Sequence, residues 1–267
     1  MSSDLTLTLH TGRAMPVLGL GTWQLTEDTA GAVEDALRVG YRMIDTSGDY
    51  GTHPGVGEGV RRSGIRREDV YIVTKVEEDE DAYEATGRNL AELGMDHVDL
   101  ILIHRPPARG AGRHLWEGLI RARDEGLARD IGVSNYTAGQ IDALVESTGE
   151  VPVVDQVEWS PFGWSAEFLD YCRGQQIVVQ AYSPLTRTER LDDPTLGTVA
   201  ADYGKTPAQI LLRWDIQKGT APIPKSGRRD HQQENLAIFD FAIEPRHMRE
   251  LDQLNEHHSS LGSLPYV

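Results

Sequence analysis

Eight short apolar runs alternate along this chain with segments whose apolar residues recur at helical spacing. The runs are MPVLGLG, YRMID, VYIVTK, VDLILIH, DIGVSN, VVDQVEW, IVVQAYS and TAPIPKS. Strands that alternate with helices pair in parallel through right-handed crossovers. Eight such units are the number that closes a (β/α)8 barrel. We therefore predict an α/β fold, a (β/α)8 TIM barrel.

Two additions to the barrel are expected. Residues 5–18 read as a β-hairpin with a His-Thr-Gly-Arg turn, placed before the first barrel strand at its N-terminal end. A helix beginning at Glu244-Pro245 is expected after the eighth strand, among additional C-terminal helices. The competing architecture is a doubly wound open sheet, which needs a Gly-rich turn directly after its first strand. The glycines of 55–59 follow a loop instead and predict a helix start.

Length and composition exclude several classes of function. A chain of 267 residues is the size of one barrel, so we predict a single domain over 1–267. We expect a monomer, although no feature of the sequence determines the oligomeric state. No run approaches the roughly 20 apolar residues of a membrane span, and the N-terminus lacks the pattern of an export signal. The net charge of −16 would repel nucleic acid. The single cysteine, Cys172, fits a reducing compartment, so we expect a cytoplasmic protein.

Ionisable side chains stand at the carboxyl ends of three neighbouring predicted strands, where barrels carry their chemistry. Asp45 ends the second run, Lys75 the third and His104 the fourth, while Tyr50 lies on the loop after Asp45. Taken singly, they could be a buried ion pair, a core histidine and an aromatic lid. Taken together, they describe a device that protonates an oxygen during attack on the adjacent carbon.

Such a device depends on the acidity of a phenol. Tyrosine has an unperturbed pKa of about 10, and a nearby cation lowers it by stabilising the phenolate. Lys75 is placed to be that cation, and Asp45 to keep it charged and oriented. His104 is expected to donate a hydrogen bond to a substrate carbonyl oxygen. The alternative is a Schiff-base aldolase in which Lys75 is the nucleophile.

At these residues the sequence resembles the aldo-keto reductase family, particularly its short prokaryotic members. The matching motifs run nearly end to end: GLGTW, IDTSGDYG, VTK, LIH, GVSN, DQVEWSP, AYSPL and IPKS followed by Glu234-Asn235. The resemblance implies an NAD(P)H-dependent oxidoreductase that reduces an aldehyde, ketone, α-dicarbonyl or keto-sugar acid. It places Asp45, Tyr50, Lys75 and His104 on the catalytic tetrad, with Tyr50 as proton donor. A nonenzymatic NADPH-binding regulatory protein stays open as an alternative.

The same resemblance implies the cofactor contacts. The carboxamide would meet Ser134, Asn135 and Gln156, and the nicotinamide ring would stack on Tyr182. The pyrophosphate would meet Ser183 and Leu185, and the adenine Glu234 and Asn235. The remaining cofactor positions implied are Gly21, Thr22, Lys225, Ser226, Arg228 and His231.

A basic cluster after the eighth strand favours one nicotinamide cofactor over the other. Lys225, Arg228, Arg229 and His231 lie within seven residues of an otherwise acidic chain. Guanidinium and ammonium groups match a phosphate dianion, which predicts a clamp for the 2′-phosphate of NADPH. His231 stands where the family usually has an arginine, so some tolerance of NADH is expected.

The substrate pocket is less constrained by the sequence. Trp23 matches an aromatic wall of the family's pocket, although a core tryptophan is the alternative. Glu77 and Arg105 occupy two further wall positions that are commonly tryptophan. We expect these opposite charges to pair, the alternative being that Arg105 binds an anionic substrate. No spacing predicts a metal site.

Overall fold

The computed structural model describes residues 5–266, and its main feature is a sheet of eight parallel strands. The N-terminal hairpin is formed by β1 (Thr6–Thr8) and β2 (Ala14–Pro16). The barrel strands are β3 (Leu20–Gly21), β4 (Met43–Asp45), β5 (Tyr71–Val76), β6 (Val98–Ile103), β7 (Ala128–Ser134), β8 (Val154–Glu158), β9 (Val178–Tyr182) and β10 (Ala221–Pro222). They pair in chain order from β3 to β10. The predicted (β/α)8 class is confirmed.

Hydrogen bonds between the first and last strands close the sheet into a barrel. Gly19 N–H donates to Pro222 O at 3.1 Å, and Gly21 N–H donates to Pro224 O at 3.2 Å. A Cβ at position 21 would lie 2.8 Å from the carbonyl oxygen of Ile223, so only glycine permits this approach.

Ten helices are assigned within residues 5–266. They are α1 (Thr29–Val39), α2 (His53–Ser63), α3 (Ala82–Leu93), α4 (Arg113–Asp124), α5 (Ala138–Thr148), α6 (Ala166–Gly174), α7 (Pro194–Tyr203), α8 (Pro207–Lys218), α9 (Arg229–Leu236) and α10 (Pro245–Asp252). The local signals in the sequence explain their ends. Gly94 caps α3 at a φ of 64°, and Thr206 with Gln209 forms a capping box before α8. None of these helices is long and apolar enough to cross a membrane.

The hairpin covers the N-terminal end of the barrel, as the sequence predicts. Its turn has Gly12 at a φ of 84°. Leu9 and Met15 are buried in one cluster with apolar residues of the barrel interior, including Met43 of β4. Arg13 donates to Asp130 Oδ1 at 3.0 Å, which ties the hairpin to β7. A second, larger apolar cluster fills the space between the strands and the surrounding helices and contains Cys172.

The two strands at the seam are shorter than their sequence runs. MPVLGLG divides between β2, which ends at Pro16, and β3, which begins at Leu20. TAPIPKS contributes only Ala221–Pro222 to β10. The prolines of this run have no N–H to donate to a neighbouring strand, so the regular ladder cannot continue through them.

Candidate active site

A buried ion pair lies at the carboxyl ends of β4 and β5. Lys75 Nζ donates to both carboxylate oxygens of Asp45 and to Thr46 O, each at 2.9 Å. The Lys75 and Asp45 side chains are 0% and 3% exposed. Burial alone would lower the pKa of Lys75, but the charge and hydrogen bonds of Asp45, with a further contribution from Tyr50, outweigh it and the net pKa is raised. Lys75 is therefore an ammonium ion with all three protons engaged.

Tyr50 lies between this ion pair and His104, on a short 3-10 turn (Gly48–Tyr50) that follows β4. Lys75 Nζ is 5.0 Å from the centroid of the Tyr50 ring. The ring of His104 meets it edge to face, with centroids 5.8 Å apart. The structure thus brings the four predicted catalytic residues together.

The predicted acidity of Tyr50 needs a correction. Burial raises the pKa of Tyr50 above its ordinary value of 10.0, and the charge of Lys75 opposes this rise without cancelling it. Asp45 and Asp49 raise the pKa further. The cation is visible in the sequence, but the loss of water around the phenol is not. Tyr50 is accordingly protonated at neutral pH.

His104 is held through one of its two ring nitrogens. Nδ1 lies 2.7 Å from Glu77 Oε1, 3.5 Å from Ser47 Oγ and 3.6 Å from Asp49 Oδ1. Nε2 has no hydrogen-bond partner among residues 5–266, and the side chain is 11% exposed. The ring therefore keeps one nitrogen free for a group that enters the cleft.

Two carboxylates and a guanidinium surround His104 at the mouth of the cleft. Arg105 Nη2 lies 3.6 Å from Asp49 Oδ2 and 3.7 Å from Glu77 Oε2, which has the geometry of the expected pairing with Glu77. Asp49, Glu77 and His104 each offer one ligand atom within 4.8 Å of the others, so this set could hold a cation. Arg105 already supplies positive charge to both carboxylates. Asp49 was not among the predicted site residues, and its position directly before Tyr50 is the signal that the sequence offers.

Trp23 lies on the loop after β3 and is not a core tryptophan. Its side chain is 39% exposed, and the guanidinium carbon of Arg187 lies 4.3 Å from its ring centroid. Arg187 belongs to the loop after β9, where Ser183, Thr186, Arg187 and Thr188 all have positive φ. Such a run of strained residues is typical of a functional loop.

The predicted amide-binding residues form one hydrogen-bonded group at the ends of β7, β8 and β9. Asn135 Nδ2 donates to Ser134 Oγ at 3.0 Å and to His104 O at 3.1 Å. Asn135 Oδ1 accepts from the Tyr182 hydroxyl at 2.8 Å. Gln156 Nε2 donates to Asp45 Oδ2 at 2.7 Å. The Gln156 oxygen has no donor among the described residues, so it is available to accept one from a carboxamide.

Four further predicted cofactor positions lie at or just after the ends of β3 and β9. Thr22 is fully buried, and its hydroxyl donates to the backbone carbonyl of Asp45 at 2.9 Å, which holds the backbone at the end of β4. Gly21 forms part of the seam, because its backbone N–H donates to Pro224 O. Ser183 and Leu185 are half-buried at the start of the loop after β9.

The loop after β10 carries less free positive charge than its sequence suggests. Arg228 forms two hydrogen bonds to Asp230, with 3.1 Å from Nε to Oδ1. Arg229 Nη1 lies 3.2 Å from Asp35 Oδ1. Lys225 is exposed, and its side chain forms no hydrogen bond or ion pair with residues 5–266. Asp230 was not among the predicted site residues.

The remaining predicted phosphate and adenine positions differ in their exposure and in their hydrogen bonds. Ser226 is 7% exposed, and its hydroxyl is bonded to the backbone of Arg228. His231 is exposed on α9. Asn235 is 4% exposed. The Glu234 carboxylate is already engaged, because its Oε1 accepts a hydrogen bond from Thr206 Oγ1 at 2.6 Å.

The sequence profile described as the aldo/keto reductase family matches residues 17–256. The chain belongs to this family. A protein named aldo-keto reductase from Mycobacterium tuberculosis is 41% identical over 256 residues, 94% of this chain and 91% of the relative. A protein named as an uncharacterized oxidoreductase from Bacillus subtilis is 40% identical over 259 residues, 93% of this chain and 92% of the relative.

Solved structures agree with this assignment. An aldo/keto reductase of Brucella melitensis has a TM-score of 0.89 at 37% identity, covering 94% of this chain and 99% of its own. An aldo-keto reductase of Bombyx mori, solved in complex with NADP, has a TM-score of 0.91 at 33% identity, covering 96% and 94%. This aldo-keto reductase is therefore an oxidoreductase of a family that uses nicotinamide cofactors and acts on small carbonyl compounds.

Proposed function

We propose that this aldo-keto reductase uses NADPH to reduce an aldehyde, ketone, α-dicarbonyl or keto-sugar acid to an alcohol. Tyr50 is the general acid that gives its proton to the carbonyl oxygen, and His104 donates a hydrogen bond to the same oxygen. The observation that carries the proposal is the placement of Tyr50 between the Lys75 ammonium and the His104 ring, 5.0 Å and 5.8 Å from its centroid.

The electrostatics favour a phenol that releases its proton only when the substrate oxygen develops negative charge. The raised pKa of Tyr50 keeps the phenol protonated until an oxygen with developing negative charge accepts its proton. The phenolate that remains is stabilised by Lys75, which stays charged because Asp45 holds it on two oxygens. The Asp45 carboxylate is itself kept in place by Gln156. Each of these four residues thus has a distinct part in the proton transfer.

The residues present fit a reduced nicotinamide dinucleotide, which when bound supplies the hydride. Gln156 has an acceptor oxygen free among the described contacts. Tyr182 has its hydroxyl fixed on Asn135, which holds the ring that we propose stacks on the nicotinamide. Lys225 has no carboxylate partner within residues 5–266, and we propose that it meets the 2′-phosphate together with Arg228. NADH is expected to be tolerated but less effective.

The environment of Lys75 argues against a Schiff-base aldolase. An attacking lysine must be a neutral amine, whereas Lys75 is fully buried, donates to three oxygens and has a raised pKa. Borohydride treatment with a carbonyl substrate should accordingly leave Lys75 unmodified.

A screen of NADPH oxidation tests the proposal. The substrates are glyoxals, aryl aldehydes, keto acids and sugar derivatives, each assayed with Tyr50→Phe as the matched control. Loss of a positioned general acid costs about 10²–10⁴-fold in rate, so Tyr50→Phe should lower kcat by that order. NADPH that binds without turnover of any of these classes would favour the regulatory alternative. Equal or better kcat/KM with NADH would contradict the clamp.

A further inference from the structure

A polar cavity lies at the N-terminal end of the barrel, the end opposite to Tyr50. Its volume is about 390 Å³, and it is lined by Arg13, Ala14, Tyr71, Asp99, Arg129 and Asp130. Tyr71 begins β5, and Lys75 lies about 13 Å further along the same strand at the rise of a β-strand. A molecule in this cavity therefore does not touch the catalytic residues, and the inference below does not rest on the proposed function.

Positive charge lines the opening of the cavity, while its negative charge is buried. The side chains of Arg13 and Arg129 are 50% and 42% exposed. Those of Asp99 and Asp130 are 5% and 1% exposed. Both oxygens of Asp99 are engaged, Oδ1 by Arg129 at 3.2 Å and Oδ2 by Arg67 at 2.9 Å. An anion that approaches this end of an otherwise acidic chain thus meets guanidinium groups before it meets a carboxylate.

The arginines keep N–H groups that a ligand can use. A guanidinium has five N–H donors in a planar fork. Within residues 5–266, the side chain of Arg13 donates only from Nη1, to Asp130 Oδ1 at 3.0 Å. Arg129 pairs with Asp99 alone among these residues. With Arg67, three guanidinium groups surround two carboxylates, which leaves one positive charge in excess. Such forks match the oxygens of a phosphate group.

Two buried polar atoms among the lining residues have no hydrogen-bond partner within residues 5–266. They are the hydroxyl of Tyr71, a residue 9% exposed, and Oδ2 of Asp130, a residue 1% exposed. Burial, with the charges of Asp130 and Asp99, raises the pKa of Tyr71, so the hydroxyl keeps its proton and is a donor. The carboxylate oxygen is an acceptor. Since buried polar groups nearly always have a partner, a ligand or water that both accepts and donates would complete them.

We propose that this cavity binds a phosphate group that carries a hydroxyl, either free monohydrogen phosphate or a hydroxylated phosphate monoester. The guanidinium groups of Arg13 and Arg129 bind the anionic oxygens. The ligand's hydroxyl accepts from Tyr71 and donates to Asp130 Oδ2. Arg13, which is half-exposed on the hairpin, turns aside to admit this hydroxyl. Sulfate has the same charge as monohydrogen phosphate but no proton to donate, so it fits the site less well.

An adjoining cavity gives the organic part of an ester a place. Its volume is about 610 Å³, and it extends past Arg13 and Arg129 to His97, Gly126 and Ala128. Arg123 also lines it, but its guanidinium is engaged by Asp124 at 2.9 Å and Glu150 at 2.8 Å. The donors for phosphate therefore belong to the first cavity. Each volume lies within the range of about 300–1,000 Å³ that is typical of small-molecule sites.

Isothermal titration calorimetry at constant ionic strength tests the proposal with inorganic phosphate, glycerol phosphate and sulfate. The wild type should bind a phosphate probe, and sulfate about fivefold more weakly, the effect of one hydrogen bond. Arg129→Met should weaken phosphate binding about tenfold or more, because its contacts are charge-assisted, and Tyr71→Phe about fivefold. Arg228→Ala, at the other end of the barrel, is the control and should leave the affinity for phosphate unchanged. Inorganic phosphate and glycerol phosphate distinguish the free anion from the ester.

Thermal unfolding with and without inorganic phosphate separates lost binding from lost folding. Phosphate should raise the Tm of the wild type, because a ligand of the native state stabilises it. Arg129→Lys keeps a charge beside Asp99 but lacks the fork, so it should keep the ligand-free Tm and show a smaller rise. Tyr71→Phe should not lower the ligand-free Tm, since the hydroxyl has no partner to lose.

Three results would overturn the proposal. A wild type that binds neither phosphate probe would mean that the cavity holds water only. Equal affinity for phosphate and sulfate would exclude the hydroxyl contact with Tyr71 and Asp130. Phosphate binding that is lost in Arg228→Ala and retained in Arg129→Met would place the anion at the loop after β10 instead.

Discussion

Two ion pairs near the carboxyl end of the barrel differ in nearly every respect except their charges. Asp45 and Lys75 are sealed between strands, with side chains 3% and 0% exposed. Arg228 and Asp230 lie on the loop after β10 and the start of α9, 67% and 62% exposed. Water cannot replace either partner of the buried pair, whereas water competes for both partners of the exposed pair. A buried pair thus fixes geometry, while an exposed pair leaves an arginine available to a ligand.

The largest effects should follow from breaking the buried pair. Lys75→Met leaves the Asp45 carboxylate without its counter-ion, which typically costs about 3–5 kcal/mol of unfolding free energy. The double variant Asp45→Asn, Lys75→Met removes both charges and should recover most of that stability. Neither variant should regain catalysis, because both lack the ammonium beside Tyr50. Urea unfolding and NADPH oxidation, measured on the same preparations, separate the two effects.

A lysine paired with an exposed carboxylate provides the control for this prediction. Lys205 bonds to Asp240 at 2.7 Å, but Asp240 is 65% exposed. Lys205→Met should therefore cost no more than about 1 kcal/mol. Equal losses for Lys75→Met and Lys205→Met would mean that burial does not distinguish these pairs.

Substitutions in the exposed pair should change cofactor affinity rather than stability. Arg228→Ala should raise KM for NADPH by about fivefold to tenfold, the loss of roughly 1 kcal/mol expected for an exposed charged contact, with little effect on NADH. Asp230→Ala should lower KM for NADPH, because Asp230 holds the guanidinium that the phosphate would use. Unfolding free energies should stay within about 0.5 kcal/mol. Arg246→Ala, which breaks a similarly exposed pair with Glu244, is the control and should leave both cofactors unaffected.

Added salt should weaken the interactions of the exposed charges more than those of the buried pair. The Debye length falls from about 10 Å at 0.1 M salt to about 3 Å at 1 M, which screens exposed charges but not buried ones. The ratio of Kd for NADH to Kd for NADPH should therefore fall by severalfold over this range. Taking the ratio cancels the repulsion that the net charge of −16 exerts on the charges common to both dinucleotides, and relief of the repulsion on the extra phosphate would raise the ratio instead. A ratio that is independent of salt in fluorescence titrations would argue against an electrostatic clamp.

The buried pair could be predicted from the sequence because strand geometry determines it. Asp45 closes a short apolar run and Lys75 the next, and parallel neighbours place such ends side by side. The partners of the exposed arginines could not be predicted in this way. Asp35 lies 194 positions from Arg229, and no periodic pattern connects a surface residue of α1 with a loop after β10. The raised pKa of Tyr50 was also missed, because burial depends on the packing of the whole rim.

Arg105 should give the smallest effect, because it resembles the exposed pair more than the buried one. Its side chain is 50% exposed, and its distances of 3.6 Å and 3.7 Å to Asp49 and Glu77 exceed those of a hydrogen bond. Two carboxylates against one guanidinium leave this part of the mouth net negative, which disfavours an anionic substrate. Arg105→Ala should therefore change KM by less than about threefold for keto acids and neutral aldehydes alike. A selective rise in KM for keto acids or sugar acids would instead assign Arg105 to substrate binding.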